Sequence, residues 1–297
     1  MNHDSETILI TGAGSGMGRE TALFLASKQY RVYGGVLNQA ECEDLLSESG
    51  KRRVAVTPII LDVTNSEAIR TQVARVLGET GRIDGLIHFA GMGLRGFLED
   101  VGMDEIRRVF DVNFFGIMEL TQAVLPHMRE KRRGRIVITS SASGRMASLT
   151  IGGYCSSKFA IEGFGECLAQ EVRPFNIYVS LLEPGLIQTP HFTVNRNRAR
   201  RAKDPSSPYY PWFCQHEHIV DNILSRNQFT AKDIAEVVHR ILTARRPRVR
   251  YLVGTHARVV LNLRRYLPGE WFDRVYFAIL RRMVTSPRVQ VSKLSGE

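Results

Sequence analysis

Short apolar runs recur along the chain and alternate with longer segments that have room for a helix. Runs of this kind are typical of strands buried on both faces, and strands that alternate with helices form parallel sheets. The pattern predicts an α/β fold with helices on both faces of a doubly wound, parallel, seven-stranded sheet. The length of 297 residues fits one domain covering residues 1–297. The predicted strands are residues 7–10, 31–36, 56–61, 83–89, 135–139, 177–182 and 249–253.

A glycine-rich segment connects the first predicted strand to a helical stretch from Arg19 to Lys28. It reads Thr11-Gly-Ala-Gly-Ser-Gly-Met-Gly18, and its spacing differs from the G-x-G-x-x-G pattern. A glycine-rich turn between a strand and a helix allows backbone N–H groups and the helix N-terminus to face a pyrophosphate. The segment therefore predicts a dinucleotide site.

Tyr154 and Lys158 are four residues apart in Tyr154-Cys-Ser-Ser-Lys158, so they share one face of a helix. An ammonium beside a phenol favours the ionised phenol. Lowering a tyrosine pKa from about 10 by about 3 units takes roughly 4 kcal/mol, which one charge about 4 Å away can supply. With Ser141 thirteen residues upstream of Tyr154, at the end of a predicted strand, the pair is typical of a phenolic acid/base.

These motifs resemble those of the short-chain dehydrogenase/reductase family from residue 7 to about residue 190. The family motif T-G-x-x-x-G-x-G matches residues 11–18, and Pro184-Gly185 with Thr189 matches P-G-x-x-x-T. The resemblance implies a Rossmann-type fold and hydride transfer to or from a nicotinamide cofactor. It implies cofactor binding by Thr11, Gly12, Ser15, Gly16, Met17, Gly18, Leu37, Asn38, Asp62, Val63, Ala90, Gly91, Tyr154, Lys158, Pro184, Gly185 and Thr189.

The resemblance also implies a catalytic tetrad made of Asn113, Ser141, Tyr154 and Lys158. By this resemblance, Tyr154 is expected to exchange the hydroxyl proton of the substrate, while Lys158 lowers the pKa of Tyr154 and holds the nicotinamide ribose. Ser141 is expected to form a hydrogen bond with the substrate oxygen. Asn113 is expected to hold a water that links Lys158 to solvent.

One segment departs from the family pattern, because N-N-A-G is replaced by His88-Phe-Ala-Gly91. Ala90 and Gly91 still allow a cofactor to approach closely. Phe89 stands in place of an asparagine, so that side chain's hydrogen bonds between strands are lost. We interpret His88 as a buried core residue rather than as an additional acid/base.

The choice between NAD and NADP depends on the end of the second predicted strand. An acidic residue there binds the ribose hydroxyls of NAD, and an arginine neutralises the 2′-phosphate of NADP. Val36 and Leu37 supply neither group, whereas Asn38 can bond a 2′-hydroxyl. Arg19 could still contact the 2′-phosphate of NADP, so NADP stays an alternative, but NAD is the expected cofactor. By resemblance, Asp62 meets the adenine amine.

A narrower resemblance concerns the substrate. Val36-Leu-Asn38, residues 144–164 and Glu183-Pro-Gly185 are similar to the retinol and 17β-hydroxysteroid dehydrogenase branch of the family. This implies a lipophilic secondary alcohol or ketone that is steroid- or retinoid-like. Two alternatives stay open: an NADPH-dependent 3-oxoacyl or polyketide ketone reductase, and a nucleotide-sensing scaffold without turnover.

Residues 190–229 occupy the place of the family's substrate lid. A basic run within them is either a clamp for an anionic handle or a solvated face. The aromatic run that follows lines a hydrophobic substrate pocket or packs within the lid. The basic residues are Arg196, Arg198, Arg200, Arg201 and Lys203, and the aromatic residues are Tyr209, Tyr210, Trp212 and Phe213.

The whole formal net charge of +10 is concentrated in residues 240–297, which contain thirteen Lys/Arg and three Asp/Glu. From about residue 255 to 297, apolar and basic positions alternate at helical spacing. Such an extension suits an anionic membrane surface, where a lipophilic substrate dissolves, or it packs on the domain or on a neighbouring subunit. The chain has no nucleic-acid-binding motif, so nucleic acid is not an expected partner.

The four cysteines, Cys42, Cys155, Cys167 and Cys214, lie far apart and form no C-x-x-C pair, so neither a metal site nor a disulfide is expected. Without a signal peptide or an apolar membrane-length run, the expected location is the cytoplasm, with peripheral membrane contact left open. The family resemblance implies a homodimer or homotetramer formed through the helices around 104–130 and 154–172.

Overall fold

The computed structural model describes residues 6–187, 196–225 and 229–285. Its seven strands form one sheet in the order β3-β2-β1-β4-β5-β6-β7, and every pairing is parallel. The predicted Rossmann-type doubly wound sheet is therefore confirmed. The strands are β1 Thr7–Thr11, β2 Arg31–Val36, β3 Val56–Ile60, β4 Gly85–His88, β5 Gly134–Thr139, β6 Ile177–Pro184 and β7 Arg250–Val253.

Ten α-helices follow or separate the strands within the described residues. α4 and α5 are joined by a π-helical turn, Asp111–Phe115. The helices are α1 Gly16–Ser27, α2 Gln39–Lys51, α3 Ser66–Thr80, α4 Met103–Phe110, α5 Gly116–Glu130, α6 Gly152–Glu171, α7 Tyr210–Ser225, α8 Ala231–Thr243, α9 Thr255–Tyr266 and α10 Gly269–Thr285.

Two apolar cores lie on opposite faces of the sheet. On one face, α1, α2 and α8 bury side chains such as Leu23, Leu45 and Val238 against the strands. On the other face, α3, α5 and α6 do the same, and Gly165 allows α6 to approach the side chain of Leu181 closely. Burial on both faces explains why the strands are apolar runs without alternation.

The order of the strands reverses between β1, which pairs with β2, and β4, which pairs with β5. In doubly wound sheets a crevice for ligands opens at such a point, outside the carboxyl ends of the strands. The glycine-rich segment between β1 and α1 borders this crevice.

The C-terminal part of the described chain forms two helices, as its periodicity predicts. α9 follows β7 directly, and α10 packs against both α9 and the lid helix α7. Phe272 is buried in this contact and stacks on Tyr276 with ring centroids 5.5 Å apart. No helix in the described ranges combines the length and the apolarity that a membrane span needs.

Candidate active site

A cavity of about 650 Å³ follows the carboxyl ends of the strands from β3 to β6. It brings together most of the site residues that the sequence predicts. Those that line it are Gly12, Ser15, Gly16, Met17, Gly18, Leu37, Asp62, Val63, Ala90, Gly91, Ser141, Tyr154, Lys158, Pro184 and Gly185. Thr11, Asn38 and Asn113 are not among the lining residues, and Thr189 lies outside the described residues.

The glycine-rich segment forms one end of the cavity. Gly12 has a φ of +69° and Gly16 one of +54°, a region in which side chains are disfavoured. A Cβ on Gly12 would lie 2.7 Å from the backbone nitrogen of Ala90, and one on Gly18 would overlap the Gly12 carbonyl. Because α1 begins at Gly16, its free N–H groups are available to a pyrophosphate. The glycines thus allow the turn to pack directly against Ala90 and against the start of α1.

Thr11 and Asn113 stabilise the walls of the cavity rather than lining it. The Thr11 hydroxyl accepts a hydrogen bond from Ala90 N at 3.1 Å. Asn113 Oδ1 accepts from Met92 N at 2.8 Å, while its Nδ2 donates to Met92 O at 2.9 Å and to Ser157 Oγ at 3.1 Å. Asn113 therefore connects the segment after β4 to α6, and the relay through water that we expected of it stays a prediction.

Ser141 and Tyr154 meet at the other end of the cavity. Tyr154 lines the cavity and is partly exposed, but protein atoms surround its phenol. This burial raises the pKa of Tyr154 to about 12. A hydrogen bond with Ser141 acts in the opposite direction. Ser141 Oγ also accepts a hydrogen bond from Ser143 N at 3.1 Å. The Ser141 hydroxyl is thus held beside the phenol.

Lys158 lies on the same face of α6 as Tyr154, with its Nζ 5.7 Å from the phenol ring centroid. The ammonium donates a hydrogen bond to Thr139 O at 2.8 Å, and burial lowers its pKa to about 8 although Glu162 acts to raise it. The sequence predicted a lowered pKa for Tyr154, but burial of the phenol raises it.

The adenosine end of the cavity differs from the prediction. Asn38 Oδ1 accepts a hydrogen bond from Glu41 N at 3.0 Å, so the Asn38 side chain caps α2 instead of facing the cavity. Glu41, which the sequence analysis missed, lines the cavity, and its Oε2 accepts from Leu37 N at 2.9 Å. The sequence feature that could have identified Glu41 is its position as an acidic residue in the first turn of the helix after β2.

Arg19 and Asp62 also make contacts at this end. Arg19 Nε donates to Gly14 O at 2.8 Å, and Arg19 Nη2 lies 3.8 Å from the carboxylate of Asp44. Asp62 Oδ1 accepts from the backbone nitrogen and the hydroxyl of Thr64. Asp62 lines the cavity as predicted.

His88 is fully buried at the end of β4, and its Nε2 lies 3.0 Å from Thr121 Oγ1. Burial lowers its pKa to about 3, so the imidazole is neutral at physiological pH. These contacts confirm the interpretation of His88 as a core residue. Phe89 is half-buried and packs against the core formed with α1.

Several lid arginines form ion pairs within the chain. Glu217 in α7 pairs with Arg95 at 2.7 Å, with Arg198 at 2.7 Å and with Arg196 at 3.2 Å. Burial alone would raise the pKa of Glu217, but the three guanidinium groups outweigh it and the pKa is lowered. Arg198, Arg200, Arg201 and Lys203 are exposed, as a solvated basic face predicts, whereas the Arg196 side chain is only 5% exposed and departs from that interpretation.

The aromatic run of the lid packs against a segment outside the lid that contains Phe97. Tyr209 stacks on Phe97 with ring centroids 4.8 Å apart, Trp212 contacts both rings, and Phe213 is buried. None of these side chains lines the cavity, and neither does Tyr210. Of the two interpretations offered for this run, packing rather than pocket lining describes its contacts, although the partner Phe97 lies outside residues 190–229.

Comparisons with known proteins agree with this geometry. The chain is 36% identical over 278 residues to a 3-ketodihydrosphingosine reductase of Bacteroides thetaiotaomicron, covering 92% of this chain and 98% of that protein. It is 32% identical over 291 residues to retinol dehydrogenase 5 of the mouse, covering 94% and 90%. A short-chain dehydrogenase structure from Streptomyces avermitilis superposes with a TM-score of 0.76 at 28% identity, covering 94% and 97%.

The sequence profile described as short chain dehydrogenase matches residues 6–200, which is more than half of the chain. This match includes the glycine-rich segment, the residues of the tetrad and the strands that carry them. The chain belongs to the short-chain dehydrogenase family.

Proposed function

We propose that this oxidoreductase transfers a hydride between NAD and a lipophilic secondary alcohol or ketone. The observation that carries the proposal is the meeting of Ser141, Tyr154 and Lys158 at one end of a cavity whose other end is the glycine-rich segment. A nicotinamide cofactor, when bound, supplies or accepts the hydride. The glycine-rich segment and the start of α1 at Gly16 line the cavity and fit such a dinucleotide, because they present backbone N–H groups to a pyrophosphate.

The residues of the chain handle the proton. The Ser141 hydroxyl forms a hydrogen bond with the substrate oxygen, and the Tyr154 phenol donates a proton to a ketone or accepts one from an alcohol. A protonated Lys158 stabilises the phenolate that proton donation leaves. Its pKa of about 8 keeps Lys158 mostly protonated at neutral pH.

Two relatives support a lipophilic substrate. One is named for a reaction on 3-ketodihydrosphingosine and the other for a reaction on retinol, and each is at least 30% identical to this chain over most of its length. Both molecules carry an alcohol or a ketone next to a long apolar body. The internal ion pairs of Arg196 and Arg198 weigh against an anionic carrier, because these groups already face Glu217.

Incubation of the purified protein with NAD(H) or NADP(H) and each of these substrates, followed by chromatography and mass spectrometry, tests the proposal. We expect retinol to be oxidised or 3-ketodihydrosphingosine to be reduced. Conversion of a 3-oxoacyl thioester alone would favour the alternative ketone reductase. Cofactor binding without turnover of any of these substrates would favour the scaffold alternative.

NAD is the proposed cofactor because of the charges around Leu37. The Glu41 carboxylate lies against Leu37 N and close to Gly14, where it can accept a hydrogen bond from a ribose hydroxyl. The same carboxylate would repel a 2′-phosphate. Arg19 is the candidate partner for that phosphate, but it donates a hydrogen bond to Gly14 O and lies near the Asp44 carboxylate.

A homodimer or homotetramer is also part of the proposal. Phe115, at the end of the π-helical turn, is 56% exposed, and Phe159 in α6 is 44% exposed. Both belong to the helical regions through which the family resemblance implies assembly. Light scattering on the wild type and on a Phe115→Glu/Phe159→Glu variant tests this point: the variant is expected to be monomeric, and an unchanged mass would contradict the proposed interface.

A further inference from the structure

The two C-terminal helices each expose an apolar stripe bordered by arginines. On α9, Val259, Leu263 and Tyr266 follow the spacing i, i+4, i+7 and are 53%, 50% and 76% exposed. On α10, Trp271, Val275 and Ile279 follow the spacing i, i+4, i+8 and are 71%, 56% and 49% exposed. Side chains at these spacings lie above one another on a helix, so each stripe is continuous.

Basic side chains accompany both stripes. Residues 255–285 contain six arginines and two acidic residues. Arg258 and Arg265 are exposed on α9, and Arg274 and Arg281 are exposed on α10. A helix that combines exposed aromatic and aliphatic residues with arginines is typical of binding in the interface of an anionic lipid bilayer.

We infer that the exposed faces of α9 and α10 bind the surface of an anionic membrane. Charge complementarity identifies the occupant, because the arginines match anionic headgroups while Trp271 and Tyr266 suit the boundary between headgroups and acyl chains. A nucleic acid would use the arginines but would leave the aliphatic side chains Val259, Leu263, Val275 and Ile279 without a partner. A second copy of the chain would place arginines against arginines.

The fold holds this surface next to the active site. α10 packs on the lid helix α7, which is joined through Glu217 to Arg95 and through His216 to Thr150. α9 is joined to the segment that follows Ser141, because Arg264 Nη1 donates to Arg145 O at 2.6 Å. If the proposed function holds, the membrane contact lies beside the lid that admits a lipophilic substrate.

Vesicle flotation of the full-length protein tests the inference. The vesicles contain phosphatidylcholine with or without phosphatidylglycerol, at low and at high salt. We expect flotation only with phosphatidylglycerol, and less of it at high salt because salt screens exposed charges. Two variants address the two parts of the surface: Trp271→Ala/Val275→Ala for the stripe, and Arg274→Gln/Arg281→Gln for the charge.

Each variant is expected to lower the bound fraction, with the charge variant losing about thirtyfold in affinity from two arginines. The matched control is Leu46→Ala/Arg70→Gln, which removes an exposed leucine and an exposed arginine from α2 and α3. Equal flotation of all variants would overturn the inference. If the wild type does not float but self-associates, and the stripe variant does not, the surface binds a second copy of the chain. If the wild type does not float but is retained on DNA, and the charge variant is not, the surface binds nucleic acid.

The result can be separated from the proposed function. Turnover of a detergent-dispersed substrate is measured for the wild type and for both surface variants. Equal turnover together with lost flotation supports a membrane surface that is distinct from the catalytic residues. Flotation of the wild type without turnover would support the membrane-binding surface and would contradict the proposed function.

Discussion

Lys158 donates its hydrogen bond to the carbonyl of Thr139 at 2.8 Å, which anchors the lysine of α6 to the end of β5. The contact holds a buried ammonium beside Tyr154 while its own pKa is lowered to about 8 by burial. A group buried at such a cost serves the site rather than the stability of the fold.

Replacing Lys158 by methionine should therefore stabilise the protein while abolishing turnover. In the folded state the pKa of Lys158 is about 8, below the ordinary lysine value of 10.5, so below about pH 8 the buried charge destabilises the fold. We expect the variant to gain about 1–2 kcal/mol at neutral pH, after loss of one hydrogen bond. Urea unfolding across the pH range measures this gain.

The gain should shrink between about pH 8 and pH 10.5, because the unfolded wild type binds more protons there and its stability rises with pH. Lys51→Met is the control, since Lys51 is an exposed residue paired with Glu48. A gain that stays constant over this range, or a less stable Lys158→Met variant at neutral pH, would contradict the assignment.

Asn113 should contribute to stability as well as to the proton relay. Asn113→Ala removes three hydrogen bonds and leaves both backbone groups of Met92 without these partners. We expect a loss of about 3 kcal/mol in the free energy of unfolding. Asn262→Ala, at an exposed position in α9, should change it by less than about 0.5 kcal/mol. Equal effects of the two changes would show that the Met92 contacts are unimportant.

Glu41 should set the preference for NAD. Glu41→Gln removes the charge beside Leu37 N, so we expect affinity for NADP to rise about tenfold relative to NAD. Calorimetric titration with each cofactor measures this ratio. Glu43→Gln is the control on the same helix, where the carboxylate bonds Gln39. If both variants shift the ratio equally, the carboxylate of Glu41 has no specific role.

Glu217 should hold the lid in place. Glu217→Gln leaves three arginines beside a neutral side chain, and breaking buried ion pairs costs about 3–5 kcal/mol. We expect a lower melting temperature and faster proteolysis in residues 190–229. Asp221→Asn, which removes an acid that is 56% exposed, serves as the comparison and should have a smaller effect. A lid that resists proteolysis equally in both variants would argue against this role.

The sequence predicted the sheet and most of the cavity because these depend on local patterns. Apolar runs mark buried strands, and the glycine spacing between Thr11 and Gly18 is a local motif, although the turn it forms also contacts the distant Ala90. Glu41 was missed because its contact with Leu37 depends on how α2 leaves β2. The pairing of Arg95 with Glu217 and the stacking of Tyr209 on Phe97 join residues more than a hundred positions apart, which periodicity cannot reveal.

We propose that Tyr154 exchanges a proton with the substrate while NAD exchanges a hydride. The most direct measurement compares the consumption of NADH, followed by its absorbance, by the wild type and by Tyr154→Phe with 3-ketodihydrosphingosine, alongside calorimetric NAD binding. We predict turnover by the wild type, a loss of about 10²–10⁴-fold in the variant, and nearly equal NAD affinity. Equal turnover by the two proteins would contradict the claim.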